Sequence, residues 1–211
     1  MPTRNSLHRR AALGAAAVLA LAGCTNDTGE ETDTVSEDQA ALVELGERLN
    51  GADGHAYTAA YLVEGTGTSV LLAVDPEAAT AAVVVDDRPE FWTGEDVEEI
   101  PGWLSGELTG VLPTGGEVSE WLTATSGDPS ARSEFSDTTL AGELADCVNV
   151  RGAAESPVGA FEVCVTTIGV IASITADLGE VTYTAKLVNY HDGVDDARLD
   201  ELAGTSRHNN E

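Results

Sequence analysis

From Leu144 to Val188 the chain repeats one pattern: a short apolar run, a turn, then another run. Leu144 to Val150 (LADCVNV), Ala160 to Thr166 (AFEVCVT), Val170 to Thr175 (VIASIT) and Val181 to Val188 (VTYTAKLV) read as strands rich in β-branched residues. Thr138 to Gly142 leads into the first of them. The connections at Arg151 to Gly159, Ile168-Gly169 and Asp177 to Gly179 are too short for the crossover that parallel neighbours need. The stretch therefore predicts an up-and-down antiparallel run.

The pattern also occurs earlier. His55 to Val63 places Tyr57 and Tyr61 on one face, Gly65-Thr66-Gly67 turns the chain, and Ser69 to Val74 returns. Asp75-Pro76-Glu77 turns it again into Thr80 to Val85, and a turn over Asp86 to Pro89 leads to a short strand, Glu90 to Thr93. Ahead of these, Ser36 and Gln39 have the spacing of a capping box, and Leu42, Leu45 and Leu49 form one helical face that Asn50-Gly51 ends. Between the two strand runs, from Gly94 to Arg132, Pro101-Gly102, Pro113, Gly115-Gly116 and Asp128-Pro129 punctuate the chain. Helices are expected around Gly102 to Leu112 and Glu117 to Thr125, either as a lid or plug or, as the plainer alternative, as packing in which Trp103 and Trp121 simply cover the sheet. The fold class expected is α+β: a curved antiparallel sheet, an incomplete barrel, packed on an N-terminal helix and a central helical insertion.

The first residues have a different purpose. Arg4, Arg9 and Arg10 precede an Ala- and Leu-rich stretch from Ala11 to Gly23. Crossing a bilayer takes roughly 20 apolar residues, so this stretch reads as a signal peptide. It closes on Leu21-Ala22-Gly23-Cys24, which resembles the lipobox of bacterial lipoproteins and implies acylation of Cys24. Arg9-Arg10-Ala11-Ala12-Leu13 also resembles a relaxed twin-arginine signal, so two export routes fit. The organisation expected is a signal over 1–23, an acidic tether over 24–35, one domain over 36–203 and a disordered tail over 204–211. Two or more acyl chains anchor a protein stably, which places the domain on the extracytoplasmic face of the cell membrane.

All 37 Asp and Glu lie beyond the signal, which holds three of the ten Lys and Arg, so the mature chain is more acidic than the full chain's net −27. Nucleic-acid binding needs a basic footprint, and this chain has none. With Cys24 assigned to the anchor, Cys147 and Cys164 remain as an even pair in an oxidising compartment, and they read as a structural disulfide. The midpoint between them falls inside the Arg151–Gly159 loop, which puts them level on facing hairpin strands.

Motifs for chemistry are missing. No Gly-x-Ser-x-Gly elbow, Ser-x-x-Lys or His-Glu-x-x-His occurs, and Gly65-Thr66-Gly67 is followed by a strand rather than the helix of a phosphate cradle. Of four His, His8 lies in the signal and His208 in the expected tail; His55 begins a strand. His191 stands near Asp192, Asp195 and Asp196, but the spacing matches no calcium loop or zinc motif. Asp86-Asp87 and Glu95-Asp96 read as acidic turns. The expectation is no enzyme, no cofactor and no metal.

The order of these elements, with Leu21 to Cys24, the Thr138-to-Gly142 strand entry, Cys147-Val148 opposite Val163-Cys164-Val165, Gly169 to Ser173 and the closing Val181-to-Tyr190 strand, resembles the actinobacterial envelope lipoproteins that include the mycobacterial glycolipid carriers, which are LolA-like in fold. The resemblance implies an incomplete barrel wrapped over helices, with acyl chains held in the hollow of several members. On that reading Tyr57, Tyr61, Leu72, Val84, Trp103 and Trp121 are the side chains expected to line or cap an apolar or lipid ligand. The alternative is a filled core and an interaction or regulatory lipoprotein acting through its acidic surface. No protein partner is named by the sequence.

Overall fold

Helix α1 (Glu37–Gly51) begins where its sequence can satisfy its own first amides. Ser36 Oγ accepts from the Gln39 amide at 3.2 Å, and Gln39 Oε1 accepts from the Ser36 amide at 3.0 Å. Glu37 and Asp38 in the first turn oppose the positive end of the helix dipole. Leu42, Leu45 and Leu49 are buried along one face. A 3-10 turn over Ala52–Gly54 delivers the chain to the sheet. The computed structural model describes residues 36–94, 96–177 and 182–194. The expected signal, Cys24, the tether over 24–35, the tail over 204–211 and the domain limit at 203 lie outside the described residues, as do His8, His208, Asp195, Asp196 and the side chain of Glu95.

Strands β1 (Tyr57–Val63), β2 (Ser69–Asp75), β3 (Thr80–Val85) and β4 (Arg88–Thr93) follow as a meander. Helices α2 (Ile100–Leu108) and α3 (Gly115–Ser126) come next. A second meander is built from β5 (Arg132–Leu140), β6 (Glu143–Arg151), β7 (Ala160–Thr166) and β8 (Ile171–Asp177). Strand β9 (Thr182–Asp192) then lies between β8 and β1, so the sheet runs β4-β3-β2-β1-β9-β8-β7-β6-β5, antiparallel throughout. The sheet is open, with β4 and β5 as its two edges. Register shifts at Ala60/Tyr61 on β1 and Cys164/Val165 on β7 add to its curl.

Alternation along the strands puts Tyr57, Ala59, Tyr61, Val70, Leu72, Val148, Val163 and Ile174 on the face that meets the helices, in one core with Leu49, Leu104, Leu108 and Leu122. Cys147 and Cys164 stand directly opposite each other on β6 and β7 and are joined, with their Cα atoms 3.9 Å apart. They belong to a smaller cluster on the other face, with Ala145 and Ala172.

Four segments differ from their sequence reading, each for a local reason. Asp86 and Asp87 both adopt positive φ (47° and 64°), which makes a two-residue hairpin, so Arg88 and Pro89 are in β4 rather than in the turn. Pro89 is tolerated there because β4 is an edge. Helix α2 starts earlier than expected, with Pro101 in its first turn, and stops at Leu108, because Gly110 at φ 73° leads the chain away. Residues 133–137, unassigned from the sequence, form most of β5. Finally, β9 runs through His191 to Asp192, past Val188 and Tyr190, where the closing strand reads as ending.

Candidate functional site

Helices α1 and α3 touch closely because two glycines allow it. A Cβ on Gly46 would sit 3.1 Å from Ser119 Oγ, and one on Gly115 would sit 3.1 Å from the Leu49 carbonyl oxygen. Asn50 Nδ2 donates to Ser119 Oγ at 3.0 Å across the same contact. Thr114 caps α3: its Oγ1 accepts from the Glu117 amide at 3.3 Å, and Glu117 Oε2 accepts from the Thr114 amide at 2.8 Å. On the sheet, Trp121 meets Phe161 of β7 edge-on, with centroids 5.7 Å apart. The pair α1–α3 thus seals one part of the inner face.

Helix α2 covers another part, against β3 and β4. It is only nine residues long. Gly102 and Gly106 give it two positions without a side chain, and the sheet opposite includes Ala59 and Ala81. A cavity of about 300 Å³ is left between the end of α1, β1 and β2, α2 and the start of α3. Tyr57, Tyr61, Leu72, Leu104, Leu108 and Ile171 are among its walls, and Ser105, Thr114, Glu117 and Glu120 are its polar members. Its volume is at the lower end of the roughly 300–1,000 Å³ of small-molecule pockets. Among the described residues no Lys, Arg or His lines it. Burial pushes the Tyr61 phenol well above its ordinary value, and the neighbouring Tyr57, Tyr183 and Tyr190 add to the shift. It stays a neutral hydroxyl at any physiological pH.

A second hollow of about 180 Å³ lies on the other side of the Thr109–Thr114 link. Trp121, Ala176 and Tyr183 wall it, and it shares Leu108, Leu112, Pro113 and Glu117 with the first. Tyr183 Oη donates to the Val111 carbonyl oxygen at 2.6 Å, and burial raises its phenol to about 12.

The residues expected to line a ligand are therefore dispersed. Tyr57, Tyr61 and Leu72 meet at the first cavity and Trp121 is at the second. Val84 points to the opposite face of the sheet, where it lines a separate hollow of about 430 Å³ with Thr58, Leu71, Asn189 and His191. Trp103 is half-buried against the core and lines none of the three. Leu104, Leu108 and Ile171 are not among the residues the sequence marks as lining a ligand. Leu104 and Leu108 at i, i+4 on α2 mark a buried face but not a cavity wall. No group of three His, Cys, Asp or Glu among the described residues is placed to hold a metal ion. No described helix is long and apolar enough to cross a membrane.

A clamp holds the far side of the domain. Asp128 accepts from the Ser130 hydroxyl at 2.6 Å and amide at 2.8 Å, and from the Glu155 amide at 3.1 Å. These bonds, the Ser130 hydroxyl first, lower its carboxyl to about 2.

No family model matches the sequence, and no curated protein is similar to it in sequence. Among solved structures the chain is similar to MucB, at 13% identity and a TM-score of 0.40 over 75% of this chain and 60% of that one. It is similar to the MucA/MucB complex of Pseudomonas aeruginosa at 15% identity and a TM-score of 0.37, over 74% of this chain and 60% of that one. It is also similar to the Mycobacterium tuberculosis lipoprotein LppX, at 14% identity and a TM-score of 0.41, over 74% of this chain and 98% of that one. The chain spans about three fifths of the MucB chains it matches. At such identities and TM-scores nothing about ligand or partner passes from those proteins to this one.

Proposed function

We propose that the chain is a membrane-anchored extracytoplasmic lipoprotein whose domain holds an apolar or lipid moiety in the cavity between β1, β2 and the helices. Acylated Cys24 is the anchor, residues 24–35 are the tether and residues 36–203 are the binding domain. The observation that carries this reading is the unfilled space of about 300 Å³ bordered by Tyr57, Tyr61, Leu72, Leu104, Leu108 and Ile171. Burial of apolar surface is non-directional, so such walls favour an alkyl or ring moiety over a charged one. The lack of a basic side chain among the described residues of the lining also speaks against a phosphate or free carboxylate being drawn inside. The alternative reading, a filled core with an acidic docking surface, takes second place because of that same space.

Native mass spectrometry of the full protein extracted from its own membrane tests both parts. A covalent surplus on a chain beginning at Cys24 is expected from the anchor, and it persists on denaturation. A further surplus that is lost on denaturation is expected from the ligand, and its mass identifies the lipid class. A mature chain without the second surplus, from several preparations, would overturn the binding reading in favour of the filled interaction module.

A further inference from the structure

The two inner hollows share four wall residues, Leu108, Leu112, Pro113 and Glu117. What separates them is therefore the end of α2 and the short link to α3. That link is held at each end by its own helix: the amides of Val111 and Leu112 donate to the Leu108 carbonyl oxygen at 2.8 and 3.0 Å, and Thr114 is fixed in its capping box. Its middle turns at Gly110, with φ 73°. To the sheet it is tied by the hydrogen bond from Tyr183 Oη to the Val111 carbonyl oxygen, 2.6 Å, from a side chain that itself walls the second hollow. Leu112 is 4% exposed, so the partition is a packed apolar plug on a glycine hinge, with one polar tie to β9.

We propose that Tyr183 sets the length of the alkyl chain the protein accepts, by latching the Thr109–Thr114 strap as a removable wall between the two hollows. The proposal rests on the binding reading above. With the latch made, an occupant ends at Leu108 and Leu112. With the strap displaced, the hollows join and an occupant extends to Trp121 and Tyr183. Burial keeps the Tyr183 phenol protonated, so the latch is a donor at every pH in which the envelope works. The chemistry selected for is a single unbranched apolar chain, because three of the four shared wall residues, Leu108, Leu112 and Pro113, are apolar and the fourth, Glu117, is engaged in the cap of α3.

The test uses the full chain carrying Trp92→Phe and Trp103→Phe, which leaves Trp121 as the sole tryptophan of three. It is compared with the same protein carrying Tyr183→Phe, which removes the donor and keeps the ring. The proposal requires bromooctane to be held in the first hollow alone and bromohexadecane to reach past the strap, where its terminal bromine quenches Trp121 from the second. Loss of one buried hydrogen bond predicts that bromohexadecane quenches Trp121 at roughly fivefold lower concentration in the Phe variant, with no change for bromooctane. Hydrogen exchange supplies a readout that needs no ligand: the Val111 and Leu112 amides should exchange roughly fivefold faster, while those of β6 and β7 do not change. Equal bromohexadecane responses in the two proteins, or unchanged strap exchange, would overturn the latch. Faster strap exchange with neither alkane bound would overturn the binding reading and the length selection with it, and would leave the hinge alone standing.

Discussion

Beneath α1 and α3 the inner face of β6, β7 and β8 presents Val148, Val150, Val163 and Ile174, each 1% exposed or less. Beneath α2 the inner face of β1, β2 and β3 alternates large Tyr57, Tyr61 and Leu72 with small Ala59 and Ala81, and a cavity remains. Both regions are apolar and both belong to one core. They differ in the shape of what covers them. Two long helices locked by Gly46 and Gly115 approach closely, whereas a nine-residue helix with two glycines of its own spans its part without filling it. Apolar composition is thus enough to bury a face, and only complementary volumes fill it.

Leucine truncation should widen this contrast most. Leu122→Ala removes a fully buried side chain from the filled region and is expected to cost about 2–5 kcal/mol. Leu104→Ala, nearly as buried but already facing open volume, should cost less than about 2 kcal/mol, because fewer contacts are lost. Urea midpoints at constant slope read both, and equal costs would mean that the cavity is not empty in solution.

Opening the Cys147–Cys164 bond comes next. It closes a loop with a sequence separation of 17 on the filled region. Its replacement by a Ser pair should cost about 3 kcal/mol on the chain-entropy estimate. Thermal unfolding of the wild type with and without reductant checks this, and the Ser pair should not respond to reductant.

The acid limb of stability should also belong to the filled region. Asp128 titrates at about 2 in the fold against 3.8 for an ordinary carboxyl, so its contribution is fully present above 3.8 and is lost as pH falls towards 2. Asp128→Asn should lower the urea midpoint at neutral pH and flatten its fall between those two values. A variant whose midpoint falls as steeply as the wild type would show that other carboxylates set the acid limit.

The smallest effect is expected where α1 reaches the strand end by charge. Arg48 bridges Asp146 at 2.6 Å and Glu44 at 3.1 Å, but Asp146 is about half exposed. The carboxylates raise the guanidinium further above its already high value, Asp146 first. Asp146→Asn should cost less than about 1 kcal/mol and less still in high salt, as read by the same urea titration in two salt concentrations.

What was legible in the sequence follows from the same contrast. Strands β3 and β7 lie at the residues their composition predicts, Thr80–Val85 and Ala160–Thr166, because they are interior strands of β-branched residues. The capping box at Ser36 starts α1 as its spacing predicts, whereas the one at Thr114, not read from the sequence, starts α3 at Gly115 rather than at Glu117. The cysteine pair reads correctly because a hairpin loop fixes which residues face each other. Strand β5 was illegible over residues 133–137, since an edge strand with both faces largely exposed has no hydrophobic alternation to show. The pairing of β1 with β9 was illegible too, as nothing local to either strand encodes a neighbour so distant in sequence. The cavity could not be read at all. Tyr57, Tyr61 and Leu72 declare by their spacing that they point inward, but whether the space before them is filled depends on the length and tilt of α2.

The seam between β1 and β9 also has a consequence for the order in which the protein is made. Each meander is a set of hairpins that can pair as it emerges, but β1 has its second neighbour only once Thr182–Asp192, more than a hundred residues later, has left the ribosome. Until then the edge of β1 is bare, and the wall that carries Tyr57 and Tyr61 has one neighbour instead of two. Nascent chains halted short of β9 should be the aggregating species, because an uncovered interior strand is a template for other chains. On the proposed reading as an exported lipoprotein, a chain handed over before that point would travel as two unjoined halves, and one handed over after it would travel whole.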